Sequence, residues 1–89
     1  MITREVTVRN RAGVHTRPAS MIVREAARFD SEFFIKKDGY EINGKSIIGV
    51  MTLAAEQGAT LDLLFEGSDE AEAADALEAL FDSGFGEPV

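Results

Sequence analysis

The sequence predicts an α+β sandwich, with helices on one face of an antiparallel or mixed sheet. Its 89 residues are enough for one small domain with one core. Four segments alternate polar and apolar residues, as half-buried strands do, and three others repeat apolar residues at helical spacing. They follow one another as strand, helix, strand, strand, helix, strand, helix, and this order favours helices packed on one side of a sheet.

The strands are predicted at residues 2–8, 33–37, 40–43 and 60–66. Arg4 is the one break in the alternation of the first strand. Asp38-Gly39 separates the second and third strands, and because this dipeptide tolerates positive φ it predicts a type I′ hairpin turn. Gly67 ends the fourth strand.

The first and third helices are predicted at residues 16–28 and 69–82. Pro18 fits the first turn of a helix, where its missing N–H costs nothing. Asp69 and Glu72 have the spacing of a capping box, and Gly84 is a C-terminal stop, so the tail after it is expected to be frayed. The positions predicted to face the core are Ala19, Ile22, Val23, Ala26, Ala73, Leu77, Leu80 and Phe81. Water-facing positions are predicted at Arg24, Glu25 and Arg28.

The middle helix, which begins after Ser46, is unusual because the stretch SIIGVMTLAA carries no charge. A domain of this size cannot bury a helix that is apolar around most of its circumference. We expect Val50, Leu53 and Ala54 to point inward. Ile47, Ile48 and Met51 then form a partly exposed docking patch, unless a long loop covers them.

Composition excludes several classes of function. The absence of cysteine excludes a thiol nucleophile and a thiolate metal site, and fits a reducing cytosol. The single histidine cannot build a zinc site alone, and the N-terminus resembles neither a signal peptide nor a membrane span. The net charge of −7 argues against nucleic-acid binding. A cytoplasmic protein that binds neither nucleic acid nor membrane is expected.

The charges are unevenly distributed. Residues 1–45 carry all nine basic side chains with six acidic ones, and residues 46–89 carry ten acidic and no basic side chains. This asymmetry indicates a mildly basic face that could bind an acidic protein or a phosphoryl group. The alternative is that the charges only solvate the surface.

The segment GVHTRP at residues 13–18 places the only histidine at the start of the first helix. Free amides and the positive end of the helix dipole stabilise an anion at this position. Arg17 adds a permanent charge and paired N–H donors that match phosphate oxygens. The pattern indicates a site for a phosphoryl group on His15. The alternative is that His15 is simply an N-cap side chain.

These residues resemble the HPr family, the histidine-containing phosphocarriers of the phosphoenolpyruvate-dependent sugar phosphotransferase system. The motif GVHTRPA at residues 13–19 is similar to the active-site signature of that family, and NGKSIIGVM at residues 43–51 is similar to its regulatory serine site. The resemblance implies an open-faced β-sandwich in βαββαβα order, with three helices on a four-stranded antiparallel sheet. It covers a single domain at residues 1–83 and leaves a tail at residues 84–89.

The resemblance also implies residue roles. His15 would accept a phosphoryl group at Nδ1 from phosphorylated enzyme I and pass it to a sugar-specific IIA domain. Arg17 would steady that group, and the backbone of Thr16 and Arg17 would contact it. A carrier of this kind is not an enzyme and needs no cofactor or metal. Ala12 departs from the family pattern, because many members carry a small polar residue there.

Regulation is implied at the second motif. Ser46 would be phosphorylated by the ATP-dependent HPr kinase/phosphorylase, although a plain N-cap serine is compatible with the same sequence. The partner-docking residues would be Ile47, Ile48, Met51, Thr16 and Arg24. Other expected partners include a transcriptional regulator, and the chain is expected to be a monomer.

Two rival functions remain. Residues 39–46, GYEINGKS, satisfy the GxxxxGK[ST] nucleotide-binding pattern. The context is wrong, because that loop should join a strand to a helix and here the pattern begins in a hairpin turn. The second rival is a purely regulatory HPr-like protein controlled through Ser46, and the presence of His15 weighs against it.

Overall fold

Four strands form one antiparallel sheet in the order β1-β4-β2-β3, in a computed structural model that describes all residues from 1 to 89. The strands are β1 Ile2–Thr7, β2 Glu32–Lys37, β3 Tyr40–Asn43 and β4 Thr60–Glu66. The helices are α1 Thr16–Ala26, α2 Ile47–Thr52 and α3 Glu70–Asp82, followed by a short 3₁₀ turn at Gly84–Gly86. The predicted α+β sandwich and its βαββαβα order are confirmed. No helix has the length and apolarity needed to cross a membrane.

The core lies between the sheet and the helices. Leu61, Leu63 and Phe65 of β4 are buried on the inward face, as their alternation predicts. Phe65 stacks on Phe33 of β2 with ring centroids 4.8 Å apart. From α3, Phe81 is fully buried in the same core. The core therefore fixes α3 and the central strands together.

Arg4, the break in the first strand, has a structural reason. It occupies an inward position of β1, where its Nη1 donates to Asp75 Oδ1 at 3.0 Å and Glu78 Oε1 at 2.6 Å. Both carboxylates belong to α3. The arginine thus ties the first strand to the last helix at the rim of the core.

The hairpin between β2 and β3 is confirmed. Asp38 and Gly39 both have positive φ, +51° and +81°, as a type I′ turn requires. Lys37 pairs with Tyr40 across the turn.

Three helix predictions need correction. Helix α1 ends at Ala26 rather than residue 28. Helix α2 ends at Thr52, and Ala54, which was expected to point inward, is exposed with a φ of +49°. The chain turns there so that the carbonyl of Ala55 can accept from Val14 N–H at 2.8 Å. Val23 and Leu80, both predicted to face the core, pack against it but are only partly buried.

The predicted capping box of α3 is wrong. Asp69 does not cap the helix, because its carboxylate accepts from the backbone N–H groups of Asp30, at 2.8 Å, and Ser31, at 2.9 Å. Ser31 Oγ also donates to it, and this bond is the main reason why the pKa of Asp69 lies below its usual value. Glu72 is exposed, while Glu70 Oε1 accepts from Gly67 N–H at 3.2 Å.

The expectation of a frayed tail is also wrong. Gly84 ends α3 with a φ of +67°, and the chain turns back so that Phe85 is fully buried. Pro88 O then accepts from Arg11 N–H at 2.8 Å. The tail is therefore anchored on both sides of Glu87.

Candidate functional site

His15 lies at the N-cap position of α1, with extended backbone and an imidazole that is 45% exposed. Its carbonyl accepts the first helical hydrogen bond, from Ala19 N–H at 2.9 Å. Gly13, just before His15, has a φ of +74°, and a Cβ there would lie 2.5 Å from Ala55 O, so glycine permits the close approach of the chain to the loop after α2. The side chain of His15 makes no capping hydrogen bond. The backbone of His15 therefore occupies the N-cap position, but its side chain does not act as a cap.

The His15 ring is held by a residue from the other end of the chain. Its Nε2 lies 3.0 Å from Oε1 and 3.1 Å from Oε2 of Glu87. Both side-chain hydrogen bonds of the ring involve Nε2, so Nδ1 makes no hydrogen bond within the chain. A histidine and a glutamate 72 residues apart thus form one pair.

Arg17 contacts the same carboxylate. Its Nη1 donates to Glu87 Oε2 at 2.9 Å and to the carbonyl of Phe85 at 2.9 Å. The side chain is 56% exposed, and its hydrogen bonds within the chain involve Nη1 alone. The donors on Nε and Nη2 are therefore free to bind a phosphoryl group.

Asn10 is the fully buried member of the cluster. Its Nδ2 donates to Glu87 Oε1 at 3.0 Å and to Gly13 O at 2.7 Å. Its Oδ1 is buried without a hydrogen-bond partner. Asn10 thus links the glycine turn before His15 to the carboxylate that holds the ring.

The electrostatics of the cluster are dominated by Glu87. The hydrogen bond from His15, with further bonds from Asn10 and Arg17, lowers the pKa of Glu87 to about 2. Glu87 is therefore an anion throughout the physiological pH range. Its side chain is 13% exposed, so the charge is held close to the ring and is only partly screened by water.

The sequence predicts His15, Thr16 and Arg17 as site residues, but it does not predict Glu87 or Asn10. Thr16 is the exposed first residue of α1, and the leading amides of a helix have no intrahelical acceptor. Glu87 lies in a short tail that contains Gly84 and Gly86, and no local sequence motif marks it as a site residue. The one available signal was an acidic residue among small and apolar neighbours.

The charge asymmetry is partly cancelled by folding. Acidic side chains from the second half of the chain pair with Arg4, Arg9 and Arg17 from the first half. This result favours the alternative that much of the charge asymmetry only solvates the surface and forms no basic binding face.

Arg24 forms no ion pair and lies nine residues beyond His15, about 13 Å along the axis of α1. It does not belong to the His15 cluster.

Ser46 is the N-cap of α2. Its exposed Oγ accepts from Gly49 N–H at 3.1 Å, as an N-cap serine should. Beside it, the exposed fractions of Ile47, Ile48 and Met51 are 38%, 75% and 45%. The predicted exposure of these apolar side chains is confirmed, and no loop covers them. We call these three residues the α2 patch.

The nucleotide-binding alternative at residues 39–46 has no structural basis. Tyr40–Asn43 is a strand and Gly39 belongs to the hairpin turn. The ammonium of Lys45 donates to Phe29 O at 2.7 Å, so it does not face a phosphate cradle.

Together these features define a class of protein. An exposed imidazole beside an arginine, on the surface of a small sandwich, is open to the active site of another protein rather than enclosing a substrate. This is the architecture of a group carrier.

Known proteins with similar sequences are also group carriers. Residues 2–83 match the family described as the PTS HPr component phosphorylation site. The phosphocarrier protein HPr of Treponema pallidum is 49% identical over 87 residues, which cover 98% of this chain and 99% of the relative. The HPr-like protein Crh of Halalkalibacterium halodurans is 48% identical over 82 residues, which cover 92% and 98%.

A solved structure shows the same fold. The crystal structure of HPr from Thermoanaerobacter tengcongensis superposes with a TM-score of 0.95 at 40% identity and covers 100% of both chains. The chain belongs to the HPr family of phosphocarrier proteins of the phosphotransferase system. These proteins are phosphocarriers rather than enzymes in their own right.

Proposed function

We propose that this chain carries phosphoryl groups between proteins of a sugar phosphotransferase system. It accepts the group on His15 from phosphorylated enzyme I, with phosphoenolpyruvate as the ultimate donor, and passes it to a IIA domain. The observation that carries the proposal is the exposed His15 ring, with Nδ1 unengaged and Arg17 held on the same carboxylate.

The chemistry needs only the groups already described. The lone pair on His15 Nδ1 attacks phosphorus, and an N–P bond forms as the bond between phosphorus and the donor breaks. The leaving group departs with the electron pair of that bond. The free N–H donors of Arg17 and the leading amides at Thr16 and Arg17 stabilise the negative phosphoryl oxygens. Transfer to the IIA domain reverses these steps on a new acceptor.

The test is the mass of the intact protein after incubation with phosphoenolpyruvate and a heterologous enzyme I. We expect the gain of a single acid-labile phosphoryl group. His15→Ala is the control, and it should gain nothing while remaining folded. The ring is partly exposed and makes no capping hydrogen bond, so the main loss is its hydrogen bond to Glu87, which costs about 2 kcal/mol. An unmodified parent protein would contradict the proposal, as would an equally modified His15→Ala variant.

Ser46 is proposed as a regulatory site for HPr kinase/phosphorylase. Its exposed hydroxyl at the N-terminus of α2 supports this role, because a phosphate there faces the positive helix end and leaves the fold intact. Incubation with the kinase and ATP should add one acid-stable phosphate to the parent and none to Ser46→Ala. Modification at another residue would contradict the assignment.

The α2 patch, with Thr16 and Arg24, is proposed as the docking surface for enzyme I, IIA domains and a transcriptional regulator. Three exposed apolar side chains on one short helix support this proposal. We also propose that the protein works in the cytoplasm as a monomer. Size-exclusion chromatography with light scattering tests the oligomeric state.

A second candidate is a purely regulatory protein controlled through Ser46. The 48% identity to a relative described as the HPr-like protein Crh favours it. Phosphate on Ser46 with no phosphoryl transfer to His15, in the two assays above, would establish this alternative.

A further inference from the structure

Glu87 lies outside residues 2–83, the part of the chain that matches the family, yet its carboxylate touches His15, Arg17 and Asn10. We propose that Glu87 is a positioning residue for phosphoryl transfer, which holds the proton of the His15 ring on Nε2 and so keeps Nδ1 as the nucleophile. This inference rests on the proposed function of His15.

The tautomer follows from the chemistry of the partner. An ionised carboxylate can only accept hydrogen bonds, so the ring nitrogen that faces Glu87 must carry a proton. In a neutral imidazole the other nitrogen, Nδ1, then bears the lone pair. The pairing of Nε2 with Glu87 thus selects the form of His15 that can attack phosphorus without first losing a proton.

The same contact serves the phosphorylated state. When Nδ1 bonds to phosphorus, the proton stays on Nε2 and the ring becomes a cation. Glu87 stabilises that cation through the hydrogen bond it already makes. On transfer to the acceptor, the N–P electron pair returns to Nδ1 and the ring leaves as a neutral imidazole. No proton has to move in either direction.

Glu87 is held in place independently of His15. Asn10, fully buried, donates to Oε1, and Arg17 donates to Oε2. Phe85 is buried on one side, and Pro88 is hydrogen bonded to Arg11 on the other. The carboxylate is therefore in position before a donor arrives, and preorganisation of this kind makes a supporting contact useful in catalysis.

The direct test is the tautomer of His15 in protein labelled with ¹⁵N-histidine. Long-range proton–nitrogen spectra at pH 8 should show Nε2 protonated and Nδ1 unprotonated in the parent. Glu87→Ala should move both nitrogen shifts toward those of a free histidine tautomer mixture, whereas Glu87→Gln, whose amide oxygen can still accept, should stay close to the parent. Unchanged shifts in Glu87→Ala would overturn the proposal. This readout needs no phosphoryl donor.

The second test is the rate of phosphorylation by enzyme I. We expect Glu87→Ala to lower kcat about tenfold, the order expected for loss of one charged hydrogen bond, with little change in KM because the α2 patch is intact. Glu72→Ala, which removes an exposed carboxylate that makes no hydrogen bond in α3, is the charge control and should match the parent. Equal or faster turnover of Glu87→Ala would overturn the proposal. If the parent accepts no phosphoryl group, the proposed function fails, and the tautomer measurement still decides what Glu87 does to the ring.

Discussion

The rings of Phe81 and Phe85 meet edge to face, with centroids 5.1 Å apart and an interplanar angle of 69°. Phe81 belongs to α3, and Phe85 reaches it because Gly84 reverses the chain directly after the helix. Through this contact the core of the domain determines the position of the tail, and therefore of Glu87.

Replacing Phe85 with alanine should destabilise the protein by about 3 kcal/mol, because the change leaves a cavity in the core. Urea unfolding followed by circular dichroism measures the effect. The amide of Arg11, which donates to Pro88 O, should also exchange faster with solvent. Phe85→Leu, the matched control, should retain most of the stability. A loss below about 1 kcal/mol for the alanine variant would mean that the tail is not anchored by this ring.

The pKa of Glu87 predicts an acid-dependent loss of stability. Hydrogen bonds from His15, Asn10 and Arg17 lower this pKa from 4.5 to about 2 in the folded protein. Well above pH 4.5 the carboxylate is ionised in both folded and unfolded chains, and its stabilising contribution is complete. As the pH falls toward 2, the unfolded chain takes up the proton first, so the contribution is lost.

Because Asp69 and Glu70 also have lowered pKa values, the measurement must compare the parent with Glu87→Gln. The difference between their free energies of unfolding should be constant above about pH 5 and should shrink between about pH 4.5 and 2. A difference that does not vary over this range would show that Glu87 is not the titrating group.

Substitutions at Ser46 should separate helix capping from charge. Ser46→Asp keeps a good N-cap, so its stability should lie within about 0.5 kcal/mol of the parent, whereas Ser46→Ala should lose about 1 kcal/mol. The aspartate should slow phosphorylation of His15 at low salt, by repelling an acidic partner, and the parent rate should return at high salt. The alanine should show no such salt dependence. Identical rates for the parent and Ser46→Asp at low salt would rule out the electrostatic account.

Ile48 and Tyr40 provide a matched pair for the docking surface. Both are 75% exposed, but Ile48 belongs to the α2 patch and Tyr40 to the hairpin. Changing either to serine should alter stability by no more than about 0.5 kcal/mol. Ile48→Ser should raise the KM for enzyme I about tenfold, as expected when a well-buried interface side chain is lost. Tyr40→Ser should not. Equal effects of the two substitutions would place the docking surface elsewhere.

The features that the sequence predicted well are those that depend on local patterns. Strand alternation, the Asp38-Gly39 turn and the position of His15 at the start of α1 are each encoded within a few residues. Even the apparent exception, Arg4, fits the alternation once its carboxylate partners on α3 are known.

The features that were wrong or missed depend on tertiary contacts. Asp69 has the spacing of a helix cap, but the backbone before β2 takes up its carboxylate. Ala54 leaves the helical pattern because the chain must turn toward Val14. Glu87 was missed because its three partners are about 70 or more residues away in the sequence. The local sequence of the Gly-rich tail does not indicate that Glu87 has these partners.

The strand order has a consequence for synthesis on the ribosome. The only sheet partner of β1 is β4, so the first strand to emerge cannot pair until residues 60–66 have also left the exit tunnel. Bringing β1 and β4 together costs the conformational entropy of the chain between them, and the contacts that offset this cost form only when β4 is available. The nascent domain therefore keeps β1 unpaired until β4 has been synthesised, and the sheet closes late.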